Sequence, residues 1–456
     1  MDLSVEEVEE EADAATFADL VASLYIAAYI VVLFKPFVLI RALPGSVAWA
    51  GLPLLGLLAL VLARRDRLMR VPVSASILAL AVWSAASIAW SDKFGASFFA
   101  IRSEVPPLIM LCLVVGSMRR TNVVKTLLWV FAGVGIWSLA TSLTMPMSRI
   151  AYLGEGPTLI AQDGWRGTFL HKNLLGVFAL LGFTTTLAFV RDRAAKSALL
   201  GLFVVLLLGT RSATAASGLV VAGVVWSWLT WIGGINNARS RALAKLASVV
   251  LVVAAVASAL ALLPILIGFY GKDLTFSGRT DIWAASLDTI RKRPFVGYGV
   301  GRVWGDRFDP LTADLHRRIG FRAAHAHNGA LDVLLAVGIV GLALYLTVLV
   351  STIWMAIRSL RTSGAPYARW ALVSISAIVM MGLSEPLFES AALGFVTILW
   401  TVLAGLTNDQ RRRQSAPRTR AANSAFDHTK TPLGSGRPLR QDLLAAPPSG
   451  SSQHHR

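Results

Sequence analysis

Residues 328–357, NGALDVLLAVGIVGLALYLTVLVSTIWMAI, carry one charged side chain, Asp332, in thirty positions. A helix needs about 20 mostly apolar residues to cross a bilayer, so this stretch reads as a membrane span. Eleven further apolar runs accompany it, at roughly 18–40, 47–63, 71–90, 104–118, 123–143, 173–190, 197–210, 212–233, 246–270, 369–386 and 389–406. Of the 456 residues, 55% are hydrophobic and 15% charged. A soluble domain carries roughly 25% charged residues, which excludes a single water-soluble globule, and the high hydrophobicity excludes a disordered chain. The expected fold is all-α, a polytopic membrane bundle of about twelve transmembrane helices. Cys112 is the single cysteine, so intrachain disulfides and multi-cysteine zinc sites are excluded.

The net charge of +17 says less than its placement. Lys and Arg gather in alternate loops: Arg64, Arg65, Arg67 and Arg70; Arg119, Arg120 and Lys125; Arg191, Arg193 and Lys196; Arg239, Arg241 and Lys245; Arg358, Arg361 and Arg369. The positive-inside rule makes that side cytoplasmic, and with twelve spans both termini fall there. The expected division is an acidic N-terminal tail over 1–17, a transmembrane domain over 18–406 and a disordered cytoplasmic tail over 407–456, rich in Ser, Pro, Ala and Arg. The first span follows an acidic stretch without a small-residue cleavage pattern and is expected to be an uncleaved anchor. A charge distribution of this kind addresses a membrane rather than nucleic acid.

Two outer segments exceed mere connectors, about 144–172 and 271–327. The second holds ten Lys/Arg against six Asp/Glu, and a basic excess on a translocated loop runs against the topogenic preference. Either it binds something anionic or local ion pairs hold it.

Within this segment SGRTDIWAASLDTIRKRP reads as an amphipathic helix. Ile282, Trp283, Leu287 and Ile290 recur with helical period, Ser277 or Thr280 suits the cap, and Pro294 is the stop. Arg279 stands at the positive end of that helix, where a cation needs a partner. A phosphate held by helix N–H groups and the guanidinium would supply one; an arginine lying along the membrane interface is the alternative. His327 precedes the helix of 328–357. The helix dipole and nearby arginines disfavour its cationic form, leaving the neutral imidazole a general base requires; a polar helix cap is the plainer reading. His325 and His327, with His316, Asp309 and Asp314, offer a weak metal-ligand pattern without a recognisable framework. Arg211 in LLLGTRSATAASG, which either complements the C-terminal end of the seventh span or adds a second guanidinium, and Arg166, His171, Lys172 and Asn173 in RGTFLHKN fall on the same outer side. GYGVG (Gly297, Gly299, Gly301) is no dinucleotide fingerprint and reads as a tight turn.

These four stretches (RGTFLHKN, LLLGTRSATAASG, GRTDIWAASLDTIRKRPFVGYGVG and AHAHNGALDVLLAVGIVG) occur in an order that resembles the O-antigen ligases and Wzy-type polysaccharide polymerases, across roughly residues 70–405. HKN and RPFVGYGVG lean toward the ExoQ-like exopolysaccharide polymerases. The resemblance implies a GT-C-like membrane glycosyltransferase of the bacterial inner membrane with its active site facing the periplasm, working in exopolysaccharide or O-antigen (lipopolysaccharide) synthesis. The donor would be a glycan on undecaprenyl diphosphate, the acceptor a sugar hydroxyl of another glycan or of a lipid A-core, and a chain-length regulator a further partner. Arg211 and Arg279 match the family arginines for the donor diphosphate and His327 matches the acceptor-activating histidine; Arg166, His171, Asn173 and Asn328 support them. The serine–arginine pair common before the eighth span is here Thr210–Arg211–Ser212. No cofactor and no metal are implied. The rival reading is a transporter or flippase of lipid-linked oligosaccharide, which would place charges near the membrane midplane; Lys35 is the main charge deep in a run.

Overall fold

The computed structural model describes residues 17–34, 45–63, 68–146, 150–153, 160–243, 279–304, 308–386 and 393–408, apart from isolated positions (70, 73, 238, 241, 242 and 363). Helices fill eleven of the twelve apolar runs. These are α1 (Phe17–Phe34), α2 (Gly45–Leu62), α3 (Ala75–Ala86), α4 (Phe94–Ser117), α5 (Arg120–Thr144), α6 (Lys172–Phe189), α7 (Arg193–Gly209) and α8 (Ala213–Gly234). After α9 (Arg279–Lys292) and α10 (Pro310–Ile319) come α11 (Gly329–Ser359), α12 (Ala365–Gly382) and α13 (Leu393–Asn408). The run 246–270, Lys35, Lys272, Ser277, Arg307 and both tails lie outside the described residues.

Six helices, α4, α5, α6, α8, α11 and α12, are long and apolar enough to cross a membrane by length and composition; the apolar parts of α1, α2, α3 and α13 are shorter. The fourth run starts earlier than its apolar stretch suggests, because α4 begins at Phe94 and continues through Pro106 and Pro107. The fold also departs from purely helical. The segment 144–172 contains an antiparallel hairpin, β1 (Ile150–Leu153) paired with β2 (Ile160–Asp163). Residues 160–163 and 150–153 lack an apolar stretch long enough for a membrane helix, so the segment is free to fold on itself.

Outward-facing Leu54, Leu57, Val61, Trp129, Ile136, Val220, Val224, Val350 and Trp354 are all exposed. An exterior this apolar suits lipid, not water. Inside, α8 packs on α12, α6 on α7 and α12, and α11 on α3 and α12. Polar groups in this core form pairs: Thr184 with Ser374 at 2.9 Å, Trp370 Nε1 donating to Thr185 Oγ1 at 3.0 Å, and Tyr25 Oη donating to the Pro107 carbonyl at 2.7 Å. Hydrocarbon provides no substitute partners, which is why such pairs form.

Helix α11 is broken at Gly338 (φ 68°, ψ −169°), and the loop after α9 closes the gap. Tyr298 N and Gly299 N donate to the carbonyls of Leu335 and Ala336, each at 2.8 Å, and Ile339 N donates to the Pro294 carbonyl at 2.9 Å. Trp83 Nε1 takes the Val337 carbonyl at 2.9 Å. The backbone groups freed by the break are thereby satisfied from another segment. GYGVG is therefore more than a turn. Its glycines have positive φ, and a Cβ on Gly297 would lie 2.7 Å from the Ala336 carbonyl.

A second, smaller core joins α9, α10 and the start of α11 through Ile282, Ala285, Ile290, Tyr298, Leu315, Ile319, Ala326 and Leu335. The amphipathic face of α9 differs from the expected one at a single position. Ile282, Ala285, Ser286, Thr289 and Ile290 are buried, whereas Leu287 is 44% exposed. Thr280 lies inside the helix rather than capping it.

Local ion pairs engage much of the basic excess of this segment. Arg302, 5% exposed, donates to Asp309 at 2.5 Å and to Asp92 at 3.2 Å. Burial pushes the Asp309 carboxyl up, but the hydrogen bonds from Arg302 and from the first N–H groups of α10 hold it below the usual carboxylate range. Arg293 donates to the Trp90 carbonyl at 3.4 Å and lies over the Tyr298 ring. Arg291 pairs with Asp288, and Arg317 and Arg318 pair with Asp314. For these arginines the plainer reading holds. Arg279 is a different case.

Candidate active site

Four chain segments meet at the starts of α6, α8, α9 and α11. At the first, the His171 imidazole caps α6, its Nδ1 accepting from Asn173 N at 3.2 Å. At the second, Ser212 caps α8 through Ala215 N, and its Oγ donates to Asn173 Oδ1 at 2.9 Å. Asn173 Nδ2 donates in turn to Glu385 Oε1 at 2.5 Å. From the start of α9, Arg279 reaches the same oxygen, with Nη2 at 3.4 Å. Asn328 caps α11 through Ala330 N and Leu331 N, and its Nδ2 donates to the Leu383 carbonyl at 3.3 Å. One hydrogen-bonded chain thus links residues 171, 173, 212, 279 and 385.

Two non-glycine residues with positive φ occur among the described residues, Arg211 (φ 48°) and His327 (φ 49°). Side chains adopt that conformation at a cost of order 1–3 kcal/mol, tolerated where the surroundings over-determine it. At His327 the backbone N–H donates to His325 Nδ1 at 3.2 Å, and the two rings stand 4.0 Å apart. At Arg211 the flanking residues fix the turn: Thr210 Oγ1 donates to the Leu207 carbonyl at 2.7 Å and accepts from Ser212 N at 3.2 Å. Both strained residues are ones that the sequence singled out.

The electrostatics favour neutral imidazoles. Burial, then the Arg279 and His171 charges, holds His327 down at about 4. Burial, His327, His171 and Arg279 hold His325 at about 3, and burial with Lys172 holds His171 at about 4. Burial pushes the Glu385 carboxyl up to about 7 against the lowering influence of Arg279, Asn173 and Lys172. His327 Nδ1 is buried and has no hydrogen-bond partner among the described residues.

One grouping among the described residues has metal-ligand chemistry: His325, His327 and Glu385, one ligating atom each, lie within 4.8 Å of one another. It is not the set read from sequence. His316 Nε2 pairs with the Ala323 carbonyl at 2.9 Å, Asp309 is bound to Arg302 and Asp314 to two arginines. The new grouping also fits a cation poorly, because the Arg279 guanidinium already sits on its carboxylate.

Of the expected residues, the structure brings Arg279, His327, His171 and Asn173 into one neighbourhood, with Asn328 at its edge. Arg211 adjoins it through Ser212. Arg166 is buried in the loop before α6, where the preceding Trp165 N donates to the Gly209 carbonyl at 2.7 Å, beside the end of α7. Sequence reading missed Glu385. The available signal was an ionisable residue within the apolar run 369–386, which by itself suggests function.

The match to a family model covers the starts of α8, α9 and α11. Residues 197–346, which include Arg211, Arg279 and His327, match the family model described as O-antigen ligase. The exopolysaccharide production protein ExoQ of Rhizobium meliloti (strain 1021) is 28% identical over 274 residues, 55% of this chain and 60% of that protein. The chain thus matches somewhat over half the length of that relative. Residues 197–346 are thus similar to the O-antigen ligase domain, and the chain is similar to an exopolysaccharide production protein.

Proposed function

We propose that the protein is an inner-membrane glycosyltransferase that moves or polymerises glycan from undecaprenyl diphosphate onto a sugar hydroxyl of a growing glycan or lipid A-core at the periplasmic face. In this reading the bundle has twelve spans, both termini are cytoplasmic, and the 271–327 segment faces the periplasm. The observation that carries it is the convergence of a guanidinium, Arg279, and a neutral, strained imidazole, His327, on one hydrogen-bonded cluster at helix starts. Transfer to a hydroxyl requires those two elements.

The Arg279 guanidinium uses one edge on Glu385 and has further N–H donors for a diphosphate. Arg211, exposed at the neighbouring turn, supplies a second cation. The neutral imidazole of His327 takes the acceptor proton as the hydroxyl oxygen attacks the anomeric carbon. The bond from that carbon to the diphosphate breaks, and its electron pair leaves with the carrier lipid, stabilised by the arginines. His171, Asn173 and Asn328 hold the cluster together, and Arg166 packs behind it. No step calls for a metal or nucleotide, since the donor arrives activated.

Arg279→Lys keeps the charge but loses the fork. A charged hydrogen bond is worth about 1.5–3 kcal/mol, so kcat/KM for the donor should fall about 10- to 100-fold. Arg293→Lys, at the other end of α9 and about 20 Å away at 1.5 Å per residue, should stay within a few-fold of wild type. Steady-state kinetics in detergent with a lipid-diphosphate glycan checks both; equal losses would reduce the segment to diffuse positive charge.

Topology is open to a direct test. In a Cys112-free background, a cysteine at position 310 should react with an impermeant reagent in intact cells whose outer membrane is permeable to it. Protection there, with labelling only after the inner membrane is opened, would overturn the assigned sides.

A further inference from the structure

We infer that Glu385 is the positioning residue for the base: its carboxylate orients His327 through Oε2 while holding Arg279 and Asn173 on Oε1. The inference rests on the transfer reading above. Both hydrogen bonds that Glu385 makes among the described residues go to Oε1, from Asn173 Nδ2 at 2.5 Å and Arg279 Nη2 at 3.4 Å. Oε2 takes part in neither. Within 4.8 Å of this carboxylate stand ligating atoms of both histidines, and His327 Nδ1 is a buried ring atom that lacks a partner among the described residues. A buried polar atom left unsatisfied costs about 1–3 kcal/mol, so a small closing motion that gives Nδ1–H the free carboxylate oxygen is favourable.

The chemistry explains why such a partner is needed. A histidine that accepts a proton on one nitrogen becomes an imidazolium, and a carboxylate on the other nitrogen fixes its tautomer and stabilises the charge. With Nδ1–H donating to Glu385, Nε2 carries the lone pair that removes the acceptor proton. Glu385 itself gains and loses no proton during transfer. Because the same carboxylate holds Arg279, the donor-binding cation and the base share one anchor. This couples the spacing of donor and acceptor sites that lie 48 residues apart in the chain.

The groups facing Glu385 are Arg279 from α9, Lys172 and Asn173 from α6, and His325 and His327 from the start of α11. Arg279 and Lys172 favour the ionised carboxylate, but burial outweighs them and brings its titration close to neutrality, about 7. The carboxylate has to be ionised to serve the imidazole. The rate should therefore rise with pH through about 7 and level off above it. His327 itself is already neutral throughout that range, so it cannot be the source of this limb.

The test uses the full chain in detergent or nanodiscs with a lipid-diphosphate glycan donor, comparing Glu385→Gln, Glu385→Asp and wild type. Glu385→Gln should lower kcat at least 100-fold with donor KM within a few-fold, and its residual rate should be flat between pH 6 and 8. Glu385→Asp should recover part of the loss and keep the limb. A kcat within five-fold of wild type, or a loss matched by an equal loss of donor binding, would overturn the inference. If Glu385→Gln fails to accumulate, Glu385→Asp decides, since a loss of kcat matched there by an equal loss of donor binding also overturns it. His327→Ala, run in parallel, separates the two levels. Collapse of transfer in His327→Ala with Glu385→Gln unaffected removes only the role of Glu385, whereas near-normal transfer in His327→Ala removes the base reading itself.

Discussion

His327→Ala should abolish most glycan transfer, by 10²- to 10⁴-fold in kcat, the range that general-base assistance supplies, while membrane insertion and donor binding should persist. Alanine removes the ring without altering the helix cap, which is provided by Asn328. The wild-type imidazole is neutral above about pH 5, given a pKa near 4, so the loss should be the same at pH 6 and pH 8 once any other titration is divided out. His325→Ala is the informative neighbour. His325 Nδ1 accepts the His327 backbone N–H, so its removal loosens a strained turn without deleting the base, and the loss should be milder. Single-turnover assays with pre-bound donor measure both. Equal losses together with inactivation by a chelator and recovery on adding zinc would replace the base by a metal centre at His325, His327 and Glu385. A change of only a few-fold at His327 would dismiss the base outright.

Gly338→Ala should destabilise the fold strongly. A Cβ at Gly338 would lie 2.2 Å from the Phe295 carbonyl oxygen, and φ is 68°. The conformation alone costs a non-glycine residue about 1–3 kcal/mol, and the clash adds to it, since the opposing atom is backbone and has no rotamer to yield. Gly133→Ala is the matched control. Gly133 lies within α5 with nothing within 4 Å of its Cβ position, and alanine there gains up to about 1 kcal/mol of helix propensity. Thermal unfolding in detergent should show a clear drop in Tm for Gly338→Ala and none for Gly133→Ala. Equal Tm values would mean that the 294–299 loop does not bind the break.

The helices were legible because a bilayer imposes a simple length rule, and eleven runs read from apolarity coincide with helices to within several residues. The ends were harder. Phe94–Ala100 extends α4 beyond the continuous apolar stretch, and nothing in IAYL or IAQD announces a hairpin. At the site, His327, Arg279 and Asn173 could be read because each is a polar residue at a helix start, where local rules fix what it costs and what it could bind. Glu385 could not be weighed the same way. Its meaning depends on which side chains arrive from 106 and 212 residues earlier in the chain, and only tertiary packing supplies that. The break at Gly338 was hidden for a different reason: LLAVGIVGLAL is uniformly apolar, and glycine in a membrane helix is common enough to pass unnoticed. The basic excess of residues 271–327 shows the limit of counting charge, since Arg302, Arg293, Arg291, Arg317 and Arg318 prove to be engaged within the fold.

The splice at Gly338 also decides what a change in bilayer thickness can reach. A spanning helix answers hydrophobic mismatch by tilting, and an unbroken helix would carry that tilt to both of its ends. Here the helix is broken at Gly338, and the stretch before the break is tied to α9, α10 and the 294–299 loop. Residues 339–359 meet the 294–299 loop through Ile339 N and Val340 N, so a tilt imposed by thinning or thickening lipid reaches the far side through that splice rather than along a continuous helix, with the glycine taking up the angle. Arg279 and His327 belong to the block on the far side, and their separation is set by a small protein core rather than by the length of the surrounding acyl chains.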